Sequence, residues 1–252
     1  MARSDADRAR RGRTRPSAAG RGHRHLDRPG AAADRHPGRV GLRGDGGHAA
    51  VYVPLHTEDE FLDYFGACRE ATGMQMLAYN IPGFTGSNIP LPALRRMVEM
   101  DWITAVKESS GNQAYFAEVV DLCRDSDTAV MQGHEPHMAW GLTLGAAGVV
   151  PVCANYEPQT FVRIVTAARE GDRHAMEKAQ ARADLVRDTL SVATPAWLAG
   201  IVYAMGALGF GTGRPIPPLG PLRAAQRQRI DRFQPAPPLP FSIPPPADTL
   251  KN

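Results

Sequence analysis

Two side chains with chemical potential stand where short apolar runs end. Tyr79 closes the run from Met74 just before Asn80-Ile81-Pro82, and Lys107 closes the run from Trp102 just before Glu108-Ser109-Ser110-Gly111. Desolvation at such a strand end favours the free amine of a lysine, which can then attack a carbonyl as a nucleophile. A neighbouring phenol can shuttle protons through the carbinolamine and imine steps that follow. Periodicity alone leaves the plainer alternative open: a solvated lysine, and a tyrosine ring packed on the core with its hydroxyl in water.

What must position these groups is a series of βα units. From Ala49 onward, short apolar runs alternate with amphipathic segments, with strands expected at Ala49 to Val53, Met74 to Tyr79, Trp102 to Lys107, Thr128 to Gln132 and Ala147 to Val152. Thr57 with Glu60 forms a capping box ahead of Phe61, Leu62, Phe65 and Cys68, which share one helical face. Pro90 and Pro92 open a helix with Leu94, Met97 and Val98 as its apolar stripe, and Asn112 caps another that buries Phe116, Val119, Val120 and Cys123. In a parallel α/β barrel, functional groups sit at the C-terminal ends of strands about 4.8 Å apart, so Tyr79 and Lys107 are expected to converge. After the fifth strand the pattern becomes helix upon helix: Pro158 to Glu170, Asp172 to Leu190 and Pro195 to Leu208.

At 252 residues with 43% hydrophobic content, the chain suits one large globular unit. The net charge of +3 is unevenly placed, because residues 1–47 hold twelve arginines against five aspartates, with Leu26, Val40 and Leu42 as their only large aliphatics. Residues 1–48 are expected to form no core and to be disordered, or the product of a shifted frame or mis-called start. Their arginines could neutralise phosphates, but no interleaved aromatics or nucleic-acid module accompany them, so no nucleic-acid partner is expected. Residues 49–233 read as a barrel portion plus C-terminal helices, and residues 234–252 as a proline-rich tail. Cys68, Cys123 and Cys153 show no metal spacing, and no run spans a bilayer, which together suggest a cytoplasmic protein with no membrane partner.

The stretch Tyr79-Asn80-Ile81-Pro82-Gly83-Phe84-Thr85-Gly86, with Lys107 28 positions after the tyrosine in Val106-Lys107-Glu108-Ser109-Ser110-Gly111-Asn112, resembles the signatures of the dihydrodipicolinate synthase and N-acetylneuraminate lyase family. Gly133-His134-Glu135 resembles that family's Gly-Asp-Asp turn, and Gly145 to Val152 with Asn155 its Gly-x-x-Gly-Val-Ile-Ser-Val-x-x-Asn strand. Gly206 to Gly211 and Arg214-Pro215-Ile216-Pro217-Pro218-Leu219 are similar to its closing segment. The resemblance implies an α/β fold, a TIM (β/α)8 barrel with C-terminal helices. It also implies an imine between Lys107 and pyruvate or another 2-keto acid, with Tyr79 as proton relay. Val150 is then expected beside the keto-acid skeleton, the Gly133 backbone toward the ligand, and Pro82 and Thr85 in the substrate-binding loop. No metal or organic cofactor is implied, the partner is a small-molecule aldehyde, and the working unit is a homo-oligomer.

The likeness departs in three places. Nothing in residues 1–48 matches the family's first three βα units, with their Thr-Thr-Gly-Glu turn, so the barrel is expected to lack them and a catalytically inactive remnant is an alternative. Phe84 stands where dihydrodipicolinate synthases carry a carboxylate-binding arginine, and phenylalanine cannot make that bidentate contact. Pro151 replaces the usual serine. The last two changes open the reading to a related 2-keto-3-deoxy sugar acid aldolase or dehydratase.

Overall fold

The computed structural model describes residues 53–192, 197–233 and 235. The arginine-rich segment, the first expected strand except Val53, and the proline-rich tail except Pro235 lie outside these residues.

Helix α1, Glu58–Thr72, begins with the expected capping box: Thr57 accepts from the Glu60 amide and the Glu60 side chain accepts from the Thr57 amide. Strand β1 covers Met76–Asn80, followed by the single-turn helix α2, Pro82–Thr85, and by α3, Leu91–Glu99. Strand β2 is Ile103–Glu108, and α4, Gln113–Cys123, starts where the Asn112 side chain accepts from the Tyr115 amide at 3.1 Å. Strand β3, Ala129–Gln132, leads through a 3-10 turn at Glu135–His137 into α5, Met138–Leu144, and then β4, Gly148–Val149.

The C-terminal half is helical as the sequence reads: α6 at Pro158–Glu170, α7 at Arg173–Leu190 and α8 at Leu198–Ala207. A further helix, α9 at Ala224–Asp231, was not anticipated; its mostly polar surface carries no apolar stripe and only Ile230 is buried. Among the described residues, no helix is long and apolar enough to cross a membrane.

The four strands form one parallel sheet in the order β1-β2-β3-β4. The fourth is shorter than expected. The amides of Ala147 and Val150 still donate to Val130 and Gln132 on β3, but Pro151 has no N–H with which to continue the ladder. Alternation assigns the two faces: Ala78, Val106 and Val130 are buried toward the helices, whereas Leu77 and Tyr79 lie on the opposite, open face. The helix-side core contains Leu94, Met97, Phe116 and Val119, each almost fully buried and each contributing roughly 1.5–3 kcal/mol. A second core joins α5 through α9 around Met138, Ile164, Val186 and Leu190.

Candidate active site

The C-terminal ends of the first three strands are laced together by buried polar groups. Asn80 and Glu108 face each other across β1 and β2, at 0% and 1% exposure. Asn80 Nδ2 donates to Glu108 Oε1 at 3.1 Å and to Asn88 Oδ1 at 2.9 Å, while Asn80 Oδ1 accepts from the Ile89 amide at 3.0 Å. Glu108 Oε1 also accepts from the Ser110 amide at 2.7 Å. The backbone continues the lacing, with Ser109 N–H donating to Asn80 O and Gly133 N–H donating to Glu108 O. The turns after β1, β2 and β3 therefore hold one another in place.

One residue before this lattice, Tyr79 and Lys107 are register partners. The Lys107 Nζ lies over the Tyr79 ring, 4.0 Å from its centroid. Both border an open cleft of about 960 Å³. Gly133 borders it too, and its lack of a side chain is required: a Cβ there would collide with Ser109 Oγ, stand 2.8 Å from Glu108 O and press on Lys107 Cε at 3.0 Å. The glycine backbone thus forms a wall against the lysine stem. Val150 completes this set just past the end of β4, 41% exposed.

Pro82 and Thr85 are not brought to the cleft. Thr85 Oγ1 donates within its own turn, where Ile81 O lies at 3.2 Å and Ser87 O at 2.9 Å, and Pro82 starts the turn of α2. They shape the loop that presents Ile81, Gly83 and Phe84 to the cleft instead. Phe84 meets Trp197 edge to face, 6.2 Å between centroids, and Trp197 forms part of the cleft wall.

The cleft also holds polar groups that the sequence did not single out as site residues. Ser109 Oγ is buried beside Lys107 and has no hydrogen-bond partner among the described residues. His134 borders the opening, with its Nδ1 3.2 Å from that of His137. Burial, the second ring and the Arg187 charge lower the His134 pKa; His137 is lowered chiefly by burial. Glu135 is buried and receives the Cys153 amide at 2.7 Å and its thiol at 3.3 Å, and burial together with this carboxylate pushes the thiol pKa up. Arg187 reaches the cleft from α7 and bonds Asp188 at 2.7 Å. Ser109 and His134 stood inside recognisable motifs and could have been found there; Arg187 and Trp197 carry no local signal.

Residues 47–234 match the family model described as the dihydrodipicolinate synthetase family. A 4-hydroxy-tetrahydrodipicolinate synthase of Methanococcoides burtonii is 27% identical over 186 residues, covering 72% of this chain and 63% of that protein. The solved dihydrodipicolinate synthase of Bacteroides thetaiotaomicron superposes with a TM-score of 0.65 at 24% identity, over 70% of this chain and 60% of that one. A variant of the 2-keto-3-deoxygluconate aldolase of Sulfolobus solfataricus gives a TM-score of 0.60 at 25% identity, over 70% of this chain and 58% of that one. The chain thus spans less than two thirds of the length of each of these relatives. The shared fold is the TIM barrel, of which the four parallel strands and their helices are a part.

Proposed function

This chain belongs to the dihydrodipicolinate synthetase family, and on that premise we propose that it is an aldolase-type lyase or synthase in which Lys107 forms an imine with pyruvate or another 2-keto acid. The observation that carries the reading is the Lys107 ammonium, held over the Tyr79 ring at the C-terminal mouth of parallel strands, within a cleft large enough for a small organic acid. The amine adds to the C2 carbonyl, and water leaves to give a protonated imine. That cation takes up the electron pair released when a C3 proton departs or a carbon–carbon bond breaks, and the product is an enamine. The Tyr79 hydroxyl passes the protons of these steps, and Gly133 and Val150 flank the bound acid. No metal or organic cofactor is needed, because the protonated imine is itself the electron sink. The working unit is a homo-oligomer in the cytoplasm.

For the second substrate, Phe84 favours a 2-keto-3-deoxy sugar acid aldolase or dehydratase over a dihydrodipicolinate synthase. It provides an apolar surface at the cleft and no carboxylate contact.

The test is reduction with borohydride in the presence of pyruvate, followed by peptide mass mapping. An adduct confined to the Lys107 peptide and missing from Lys107→Ala is expected. No adduct in protein with native circular dichroism would overturn the imine reading and leave a catalytically inactive member of the family.

A further inference from the structure

The imine chemistry leaves one titratable cluster at the cleft unused. His134 and His137 bracket the 3-10 turn after β3, with ring centroids 4.6 Å apart and Nδ1 atoms at 3.2 Å. The turn is anchored from α7, where Gln180 donates to Glu135 O and accepts from the Ala139 amide, both at 2.9 Å. His137 is further fixed against Trp140, 5.7 Å between centroids. The short separation is therefore built by the fold.

A hydrogen bond between two Nδ1 atoms requires one ring to donate and the other to accept. The neutral pair consequently carries one shared Nδ1–H, one bare Nε2 and one protonated Nε2. Among the described residues neither Nε2 has a hydrogen-bond partner. The Nε2 edge of His134 lies over Gly111, where a Cβ would stand 3.1 Å from the nitrogen, and Gly111 holds φ at +78°. A side chain there would cover this edge. His134 borders the cleft, whereas His137 does not and is half-buried behind it.

We propose that His134 and His137 form a two-imidazole relay that passes one proton between the cleft and the outer side of the turn. A proton arriving at the bare Nε2 of His134 makes that ring a donor at both nitrogens. Its Nδ1 proton crosses to His137 Nδ1, and the Nε2 proton of His137 leaves to solvent. One proton enters and one leaves, and both tautomers are reversed; the opposite movement resets them. The device works only while the pair is neutral, since a doubly protonated pair has no acceptor. Burial, the mutual repulsion of the rings and the Arg187 charge maintain that state, against the opposing pull of Asp184 and Glu108 on His137. The catalytic use of the relay rests on the imine reading: the proton lost from C3 of the bound keto acid must leave the cleft before the enamine reacts onward.

Two measurements on the full chain test it. Long-range imidazole nitrogen spectra of ¹⁵N-labelled protein at pH 7.5 are expected to show one ring as the Nδ1–H tautomer and the other as Nε2–H; two Nε2–H rings would overturn the proposal. Exchange of pyruvate methyl protons in D2O, followed by NMR, is expected to fall roughly 10- to 100-fold in both His134→Phe and His137→Phe, with borohydride trapping at Lys107 retained. If either phenylalanine variant fails to fold, His134→Gln and His137→Gln replace the pair. Unchanged exchange in either folded variant overturns the relay, and loss in the His134 variant alone reduces it to a single base. Absence of trapping in the unmodified chain counts against the imine alone, and the tautomers then decide whether the relay exists.

Discussion

Lys107 and Tyr79 are register partners on adjacent parallel strands, and the lysine Nζ rests 4.0 Å from the centre of the tyrosine ring. The ring and the hydroxyl therefore have separable roles: the face attracts the ammonium, by roughly 0.5–1 kcal/mol at a site this open, while the hydroxyl is the only part that can carry a proton. Tyr79→Phe is expected to keep the pyruvate adduct at Lys107 but to form it about 100-fold more slowly, as measured by timed borohydride quenching. Tyr79→Ala should lower both the rate and the final yield. Equal rates in Tyr79→Phe and the unmodified chain would remove the hydroxyl from the mechanism.

Gly133 tests the packing of the lysine. Because a Cβ at this position meets Ser109, Glu108 O and Lys107 Cε together, Gly133→Ala must displace β2 or the turn after it. A loss of about 1–3 kcal/mol in urea unfolding is expected, accompanied by reduced trapping at Lys107. Gly83, where an added Cβ would meet nothing within 4 Å, is the control whose alanine variant should unfold within about 0.5 kcal/mol of the unmodified chain.

Glu108 tests the lattice behind the site. Its carboxylate accepts from Asn80 Nδ2 and the Ser110 amide in a position 1% exposed. Glu108→Ala removes the acceptor from the buried Asn80 amide and the half-buried Ser110 amide and opens a cavity, for an expected destabilisation of about 2–4 kcal/mol. Glu108→Gln retains an acceptor oxygen and similar volume, and about 1 kcal/mol or less is expected. Equal denaturant midpoints for the two variants would show that the hydrogen bonds contribute nothing.

The histidine pair sets a pH dependence whose sign follows from proton uptake. Both rings have folded-state pKa values below the ordinary 6.5, so on acidification the unfolded chain binds protons that the folded chain refuses. Stability is thus expected to be at its higher level above about pH 7 and to decline as pH falls through 6.5 toward the folded-state values. Urea midpoints at pH 7.5 and 5.5 measure this, and the double variant His134→Phe, His137→Phe should flatten the difference. Glu60, whose carboxyl is held below its usual 4.5 by the His56 and Thr57 amides, supports stability that is lost only at lower pH and does not confuse this window.

Helix starts, helix faces and, to within a residue, the ends of the first three strands were legible in the sequence because each is decided within a few residues. The Thr57–Glu60 box, the Asn112 cap, and the stripe of Leu94, Met97 and Val98 are local patterns whose outcome no distant contact had to supply. Tyr79 and Lys107 were readable for the same reason, as polar groups closing apolar strands. Tertiary structure decided what those groups meet. Of two consecutive serines, Ser110 is spent on the turn, where its Oγ accepts from the Asn112 amide, while Ser109 Oγ is buried without a hydrogen-bond partner among the described residues. Thr85 was turned inward to its own loop, and Arg187 and Trp197 were delivered to the cleft from the C-terminal helices. No local pattern encodes such encounters, because they depend on how separately formed strands and helices pack, and packing is fixed by the shapes and polar partners available across the whole core.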